Sequence, residues 1–153
     1  MFFPPNKLAE LVRQPGGKPR DAAIADAGRN IDEQRDYLAE GIREAVHSIE
    51  AVIPRSDGPA IPSPLVEIIL QGCDRIIGLA GVLGYQSLEA AAKSLCDLIA
   101  CLARSGEIER APVLVHVQAL QRLSERPAEV SAREAAVLID QLARLVGHYA
   151  NRA

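Results

Sequence analysis

Residues 63–84, SPLVEIILQGCDRIIGLAGVLG, are almost wholly apolar, yet one thin polar line runs through them. At about 100° per residue, Glu67, Gln71, Asp74 and Gly78 fall within roughly one-sixth of a helix circumference. Arg75, Gly81 and Val82 flank that line. Leu65, Ile68, Ile69, Ile76, Leu79, Ala80 and Leu83 occupy the opposite side, and Val66, Leu70, Cys73 and Ile77 fill one flank. A helix of this make-up must sit inside a bundle and show water a single seam. Ser63–Pro64 supplies an N-cap followed by a proline at N1, and Gly84 suits the C′ position.

The segments on either side are helical too. Asp21 is placed to cap a long helix running to about Ile53, where Pro54 stops it. Ile24, Ile31, Leu38, Ala45 and Val52 recur every seven residues, with Ile42 and Ile49 beside them, which predicts one apolar stripe. Gly28 and Gly41 weaken this helix, and a kink is expected near Gly28. Beyond Gly84, Ser87 is read as the cap of a helix whose inner face is Leu88, Ala91, Leu95, Leu98, Ile99 and Leu102, closed by Gly106. A fourth helix, from Glu109 or Pro112 to Ser124, turns Val113, Val117, Leu120 and Leu123 inward. After Pro127, Ser131-x-x-Glu134 makes a capping box for a fifth, striped by Ala135, Leu138, Leu142, Leu145 and Tyr149. Short connections and the absence of a credible strand predict an all-α, antiparallel helical bundle over residues 21–151. Residues 1–20, with four prolines, the Gly16–Gly17 pair, Phe2 and Phe3, read as an N-terminal arm.

Composition narrows the function. Only 3% of residues are aromatic and none is tryptophan, so aliphatic side chains build the core. The net charge of −3 comes with scattered Lys and Arg, not the basic face that nucleic acid requires. No apolar run suits a signal peptide or an uncharged bilayer span, so a soluble, cytoplasmic protein without a membrane partner is expected. The three cysteines, Cys73, Cys96 and Cys101, fit small buried residues of a reducing compartment. Cys96 and Cys101 lie about 140° apart around one helix and suit neither a shared metal nor a disulfide.

Reactive groups are sparse. Of His47, His116 and His148, only His47 has an acidic, histidine or cysteine residue three or four positions on, namely Glu50; a pair does not make a metal site. His116, between Val115 and Val117, reads as a half-buried or surface histidine. There is no G-x-S-x-G, no phosphate-cradling glycine loop and no C-x-x-C. No enzymatic activity of a common type, no metal and no cofactor is expected.

The segment DRIIGLAGVLG, 74–84, followed by YQSLEAAAKSLCDLI, resembles the histidine-phosphotransfer (HPt) domain of phosphorelays. That family carries H-x-x-K-G on the second long bundle helix, then small residues, a glycine turn and a helix patterned L-x-x-A-A-x-x-L. Gly78 matches the motif glycine; Ala80, Gly81, Leu83 and Gly84 fit the continuation, and Leu88, Ala91, Ala92 and Leu95 the next helix. LARSGEIERAPVLVHVQALQRL, 102–123, looks like the family's hairpin into its last bundle helix. The resemblance covers roughly 30–123 and implies a four-helix HPt-like core plus an extra C-terminal helix. Asp74 stands where the family has its phosphorylated histidine, and Ile77 where it has lysine. Asp74 offers no imidazole nitrogen, and its carboxylate repels an anionic phosphoryl donor.

The family's docking surface is nevertheless implied. The expected function is a non-catalytic adaptor that binds a receiver domain or histidine-kinase component through Glu67, Gln71, Asp74, Arg75 and Gly78. Two other classes compete. A structural module would dimerise through the fifth helix, so monomer and homodimer both stand open. A receiver phosphatase would use Glu67-x-x-x-Gln71, an acidic residue and an amide four apart. Such a pair also occurs by chance on solvated faces, and Gly78 could equally serve close packing of a neighbouring helix.

Overall fold

The computed structural model describes residues 19–53, 58–125 and 130–151. Five helices account for most of them: α1 (Arg20–Glu50), α2 (Ser63–Leu83), α3 (Gln86–Ser105), α4 (Arg110–Glu125) and α5 (Ala132–Ala150). Among the described residues there is no strand, and one isolated antiparallel bridge joins Ala60 to Glu109. The fold is all-α and bundle-like. Residues 1–18 of the arm expected over 1–20, the stop at Pro54 and the break at Pro127 lie outside the described residues.

The chain divides after Arg35 into two units, and α1 crosses the division. In the first unit the helix runs through Gly28 without interruption. Here the expected stripe fails: Ile24 and Ile31 are 59% and 58% exposed. A core-facing stripe needs about three apolar positions in seven, and the steps after Ile24 bring only Ala27 and Gly28. In the second unit Ile42, Ala45, Val46 and Ile49 complete the i, i+3, i+4, i+7 pattern, and all four are buried.

The second unit, residues 36–153, holds the core. The later part of α1 lies against α2, where Gly72 is the contact point. A Cβ on Gly72 would stand 2.6 Å from Ile49 Cγ1 and 3.4 Å from the Ala45 carbonyl oxygen, so only glycine admits this approach. Two turns away, Gly41 of α1 faces Leu79 and Arg75 of α2. The chain then reverses between α2 and α3 in a Schellman turn. Gly84 sits at φ 74°, while the Gly84 and Tyr85 amides bond back to the Gly81 and Ala80 carbonyls. This tight connection folds α3 back along α2, and α3 packs against α2, α4 and α5. Its inner face is as expected, with Leu88, Ala91, Leu95, Leu98, Ile99 and Leu102 buried. Gly106 ends it at φ 93°.

Three helix starts differ from expectation. Helix α1 begins at Arg20, so Asp21, the expected cap, lies in its first turn. Helix α2 begins at Ser63 itself, with Pro62 at the cap position and no side-chain cap. Helix α3 begins at Gln86, with Tyr85 before it, so Ser87 lies inside the helix. The Tyr85 carbonyl already accepts from the Leu88 and Glu89 amides, and the turn leaves no residues over for a serine cap. Helix α5, by contrast, carries the full Ser131–Glu134 capping box, and it buries Ala135 and Leu142. It packs mainly on α3 and closes on the bundle.

Candidate functional site

The polar line of α2 faces water along its whole length. Glu67, Gln71, Asp74, Arg75 and Gly78 are all exposed, while Ile69, Cys73, Ile76 and Ala80 behind them are buried. The helix therefore places the five expected residues on one open strip. A Cβ added at Gly78 would meet nothing within 4 Å, so among the described residues no neighbouring helix uses the room this glycine leaves. The close-packing role considered for Gly78 belongs instead to Gly72, which lies on the apolar side of α2 against Ile49 and which the sequence reading did not single out.

The charges on the strip are not equivalent. The Arg75 guanidinium reaches back to α1 and donates to Glu44 Oε2 at 2.8 Å. Among the described residues, Glu67 and Asp74 form no such ion pair. Arg75 is thus turned along the α1–α2 junction, and the outward field of the strip is set by the two carboxylates. Leu70 and Ile77, which flank the line, are half-buried against the core. At the strip's far end Val82 is 73% exposed, a large apolar side chain that the sequence placed only as a flank.

The chemistry available elsewhere is limited. His47 Nδ1 lies 3.6 Å from Glu50 Oε2, and the His47 side chain is exposed. No group of three His, Cys, Asp or Glu residues able to hold a metal ion occurs among the described residues. His116 corrects the sequence reading: it is fully buried, 0% exposed. Its Nδ1 is 3.1 Å from the Pro112 carbonyl oxygen, which can only accept, so Nδ1 carries the proton. Nε2 is then free to accept from the Ser94 hydroxyl at 3.0 Å. Burial pushes the His116 pKa down, partly opposed by the Pro112 carbonyl, which favours the charged ring. The neutral imidazole is a satisfied polar link between α3 and α4. Flanking valines hid this, because the helical face that carries His116 is the one holding Val113, Val117 and Leu120.

The sequence reading weighed Cys96 only against Cys101. Cys73 of α2 is buried and Cys96 of α3 is half-buried, and each lies eleven residues from the turn that joins the two helices, a spacing that becomes legible only once that turn is known to fold them together.

Comparison of the chain with protein-family models, with curated proteins and with solved structures found no match.

Proposed function

We propose that this chain is a signalling adaptor of HPt-like form that binds a response-regulator receiver domain or a histidine-kinase component on the exposed strip of α2 and carries no phosphate. The observation that supports this reading most is Gly78. A glycine inside a helix costs about 1 kcal/mol relative to alanine. This one is exposed, at the middle of the polar line, with open space where a side chain would be. Among the described residues no contact accounts for it, whereas a partner pressed against the helix would.

Around Gly78 the strip offers the parts of a small interface: the Glu67 and Asp74 carboxylates, the Gln71 amide and, one turn beyond, Val82. Partner charge should therefore be basic opposite the strip, and association should slow as salt screens it. Asp74, lacking a nucleophilic nitrogen, is a recognition group in this scheme.

The deciding experiment is a binding titration against receiver domains of the same organism, each with and without a phosphoryl mimic. A complex that Gly78→Arg abolishes, with helical content and melting unchanged, supports docking on the strip. Affinity that survives Gly78→Arg, or no binding to any receiver or kinase domain, removes it. A receiver phosphatase remains a second reading because Glu67 and Gln71 share the exposed face; accelerated dephosphorylation of a receiver, lost in Gln71→Ala, would favour it. The dimerisation module drew on a leftover apolar stripe of α5, but that helix packs on α3, so the stripe gives it little support.

A further inference from the structure

The first part of α1 carries an apolar line that faces solvent. Ile24 and Ile31 stand seven residues apart, and each is more than half exposed. Between them lie Ala27, which is exposed, and Gly28, where an added Cβ would meet nothing within 4 Å. A seam of one large and one small position in every seven is too narrow to face the inside of a bundle. It is the width along which two helices pair with each other.

The charges beside this seam are arranged for an antiparallel copy. At about 100° per residue, Asp21 and Arg35 fall on one flank of the Ile24–Ile31 line, within about 40° of each other. Arg20 and Gln34 fall on the other flank. Let two such helices run antiparallel, with Ile24 of each level with Ile31 of the other. Ala27 and Gly28 then meet at the two-fold axis, where small residues allow close approach. Like flanks face each other in this arrangement, so Asp21 of one helix stands about 1.5 Å along the axis from the level of Arg35 of the other. Arg20 comes opposite Gln34. A parallel pair would instead set equal positions level, with Arg35 beside Arg35 and Arg20 beside Arg20, and like charges would repel. Among the described residues neither Asp21 nor Arg35 has an ion pair within its own chain. Asp26 and Arg29, on the far side of the helix, already pair with each other. The charges beside the seam are the ones left to recognise a partner.

We propose that residues 20–35 of α1 form a symmetric antiparallel helix pair with a second copy of this chain, with Ile24 against Ile31 at two places and Asp21 against Arg35 at two more. Two helices of about four turns each cover less than the roughly 1,200–2,000 Å² of a standard interface, so the association is weak and concentration-dependent. It uses neither the apolar stripe of α5 nor the exposed strip of α2, and it stands whether or not a receiver or kinase domain docks there.

The test is sedimentation equilibrium of the full chain in reducing buffer at low salt, from about 10 µM to about 1 mM. The mass should rise from one chain toward two across the series, and added salt should weaken the association. The double variant Ile24→Gln, Ile31→Gln should raise the dissociation constant at least about tenfold, with the far-ultraviolet circular dichroism at the lowest concentration unchanged. Asp21→Arg alone should weaken pairing, and adding Arg35→Asp should restore it. That exchange restores what one substitution removes, so it remains decisive if the isoleucine variant loses helix. Gly78→Arg should leave the whole series as in the wild type, which separates this pairing from docking on α2. A wild-type chain that stays monomeric throughout would assign the seam to another occupant and overturn the proposal. Pairing that survives both glutamines, or a charge exchange that fails to restore it, would do the same.

Discussion

Gly72 and Gly78 lie six residues apart on α2, and the same substitution should move them in opposite directions. Replacing either by alanine reduces the freedom of the unfolded chain and improves helix propensity by about 1 kcal/mol. At Gly78 the new methyl enters open space, so this gain should appear undiminished. Melting should rise by about 2–4 °C for a chain of this size. At Gly72 the methyl would stand 2.6 Å from Ile49 Cγ1 and 2.8 Å from Ile49 Cδ1. Ile49 is fully buried and cannot swing into solvent, so α1 and α2 must separate or Ile49 must leave its rotamer. Overpacking of this kind costs about 1–3 kcal/mol. Set against the propensity gain, Gly72→Ala should lose about 0–2 kcal/mol, leaving the two variants about 1–3 kcal/mol apart. Urea unfolding followed by far-ultraviolet circular dichroism measures both, with unchanged slopes as the check that the unfolded state is the same. Equal shifts, or a Gly72→Ala protein more stable than Gly78→Ala, would refute the packing of α1 on α2 described above.

Three further outcomes are expected. His116 is held neutral in the fold, with its pKa below the unfolded value of about 6.5, so the unfolded chain takes the proton first as pH falls. Stability should therefore decline below about pH 6.5, by at most about 1.4 kcal/mol per pH unit, and flatten once the folded ring titrates; His116→Gln should remove this slope in pH-dependent urea titrations. Ser131→Ala, which removes the cap accepting from the Glu134 amide, should cost about 1 kcal/mol in the same assay. The double replacement of Ile24 and Ile31 by Gln should shift stability by no more than about 0.5 kcal/mol per site, whereas Ile42→Ala, at a buried position, should cost about 2–5 kcal/mol.

What the sequence made legible was the content that each helix carries within itself. The inner faces of α3 and α4 follow from their periodicity, and Gly84 and Gly106 mark helix ends because a positive φ admits glycine at little cost. The exposed strip of α2 was equally readable, since a helix with one polar line has one way to face water. The misreadings arose where a second element decides the outcome. Ile24 and Ile31 keep the seven-residue spacing of the buried stripe, but their intervening turns offer only small residues. His116 looks solvent-compatible until Ser94 on α3 supplies its second hydrogen bond. Gly72 and Gly78 lie about 120° apart on a helical wheel, Gly72 on the apolar side and Gly78 in the polar line, but only the position of Ile49 shows that Gly72 is where α1 approaches. That Cys73 and Cys96 stand at equal distances from the α2–α3 turn gains meaning only from the register of two helices, which no single-helix pattern contains.

The bridge between the connections at Pro59–Ile61 and Ile108–Arg110 has a bearing on solubility. The Ile61 amide donates to the Ile108 carbonyl at 2.8 Å and the Arg110 amide to the Pro59 carbonyl at 2.7 Å. Such a pair is the seed of a sheet, and an unfinished sheet edge recruits other chains. Here two prolines and two helix starts limit its growth. Pro59 has no N–H with which to answer the Arg110 carbonyl. Pro62 lacks the outward donor that an arriving strand would use. At Ser63 and at Arg110 the backbone turns into helices, which ends the extended run on both segments. A chain with so few aromatic anchors thus gains a backbone tie between distant segments through an extended run of only a few residues on each side.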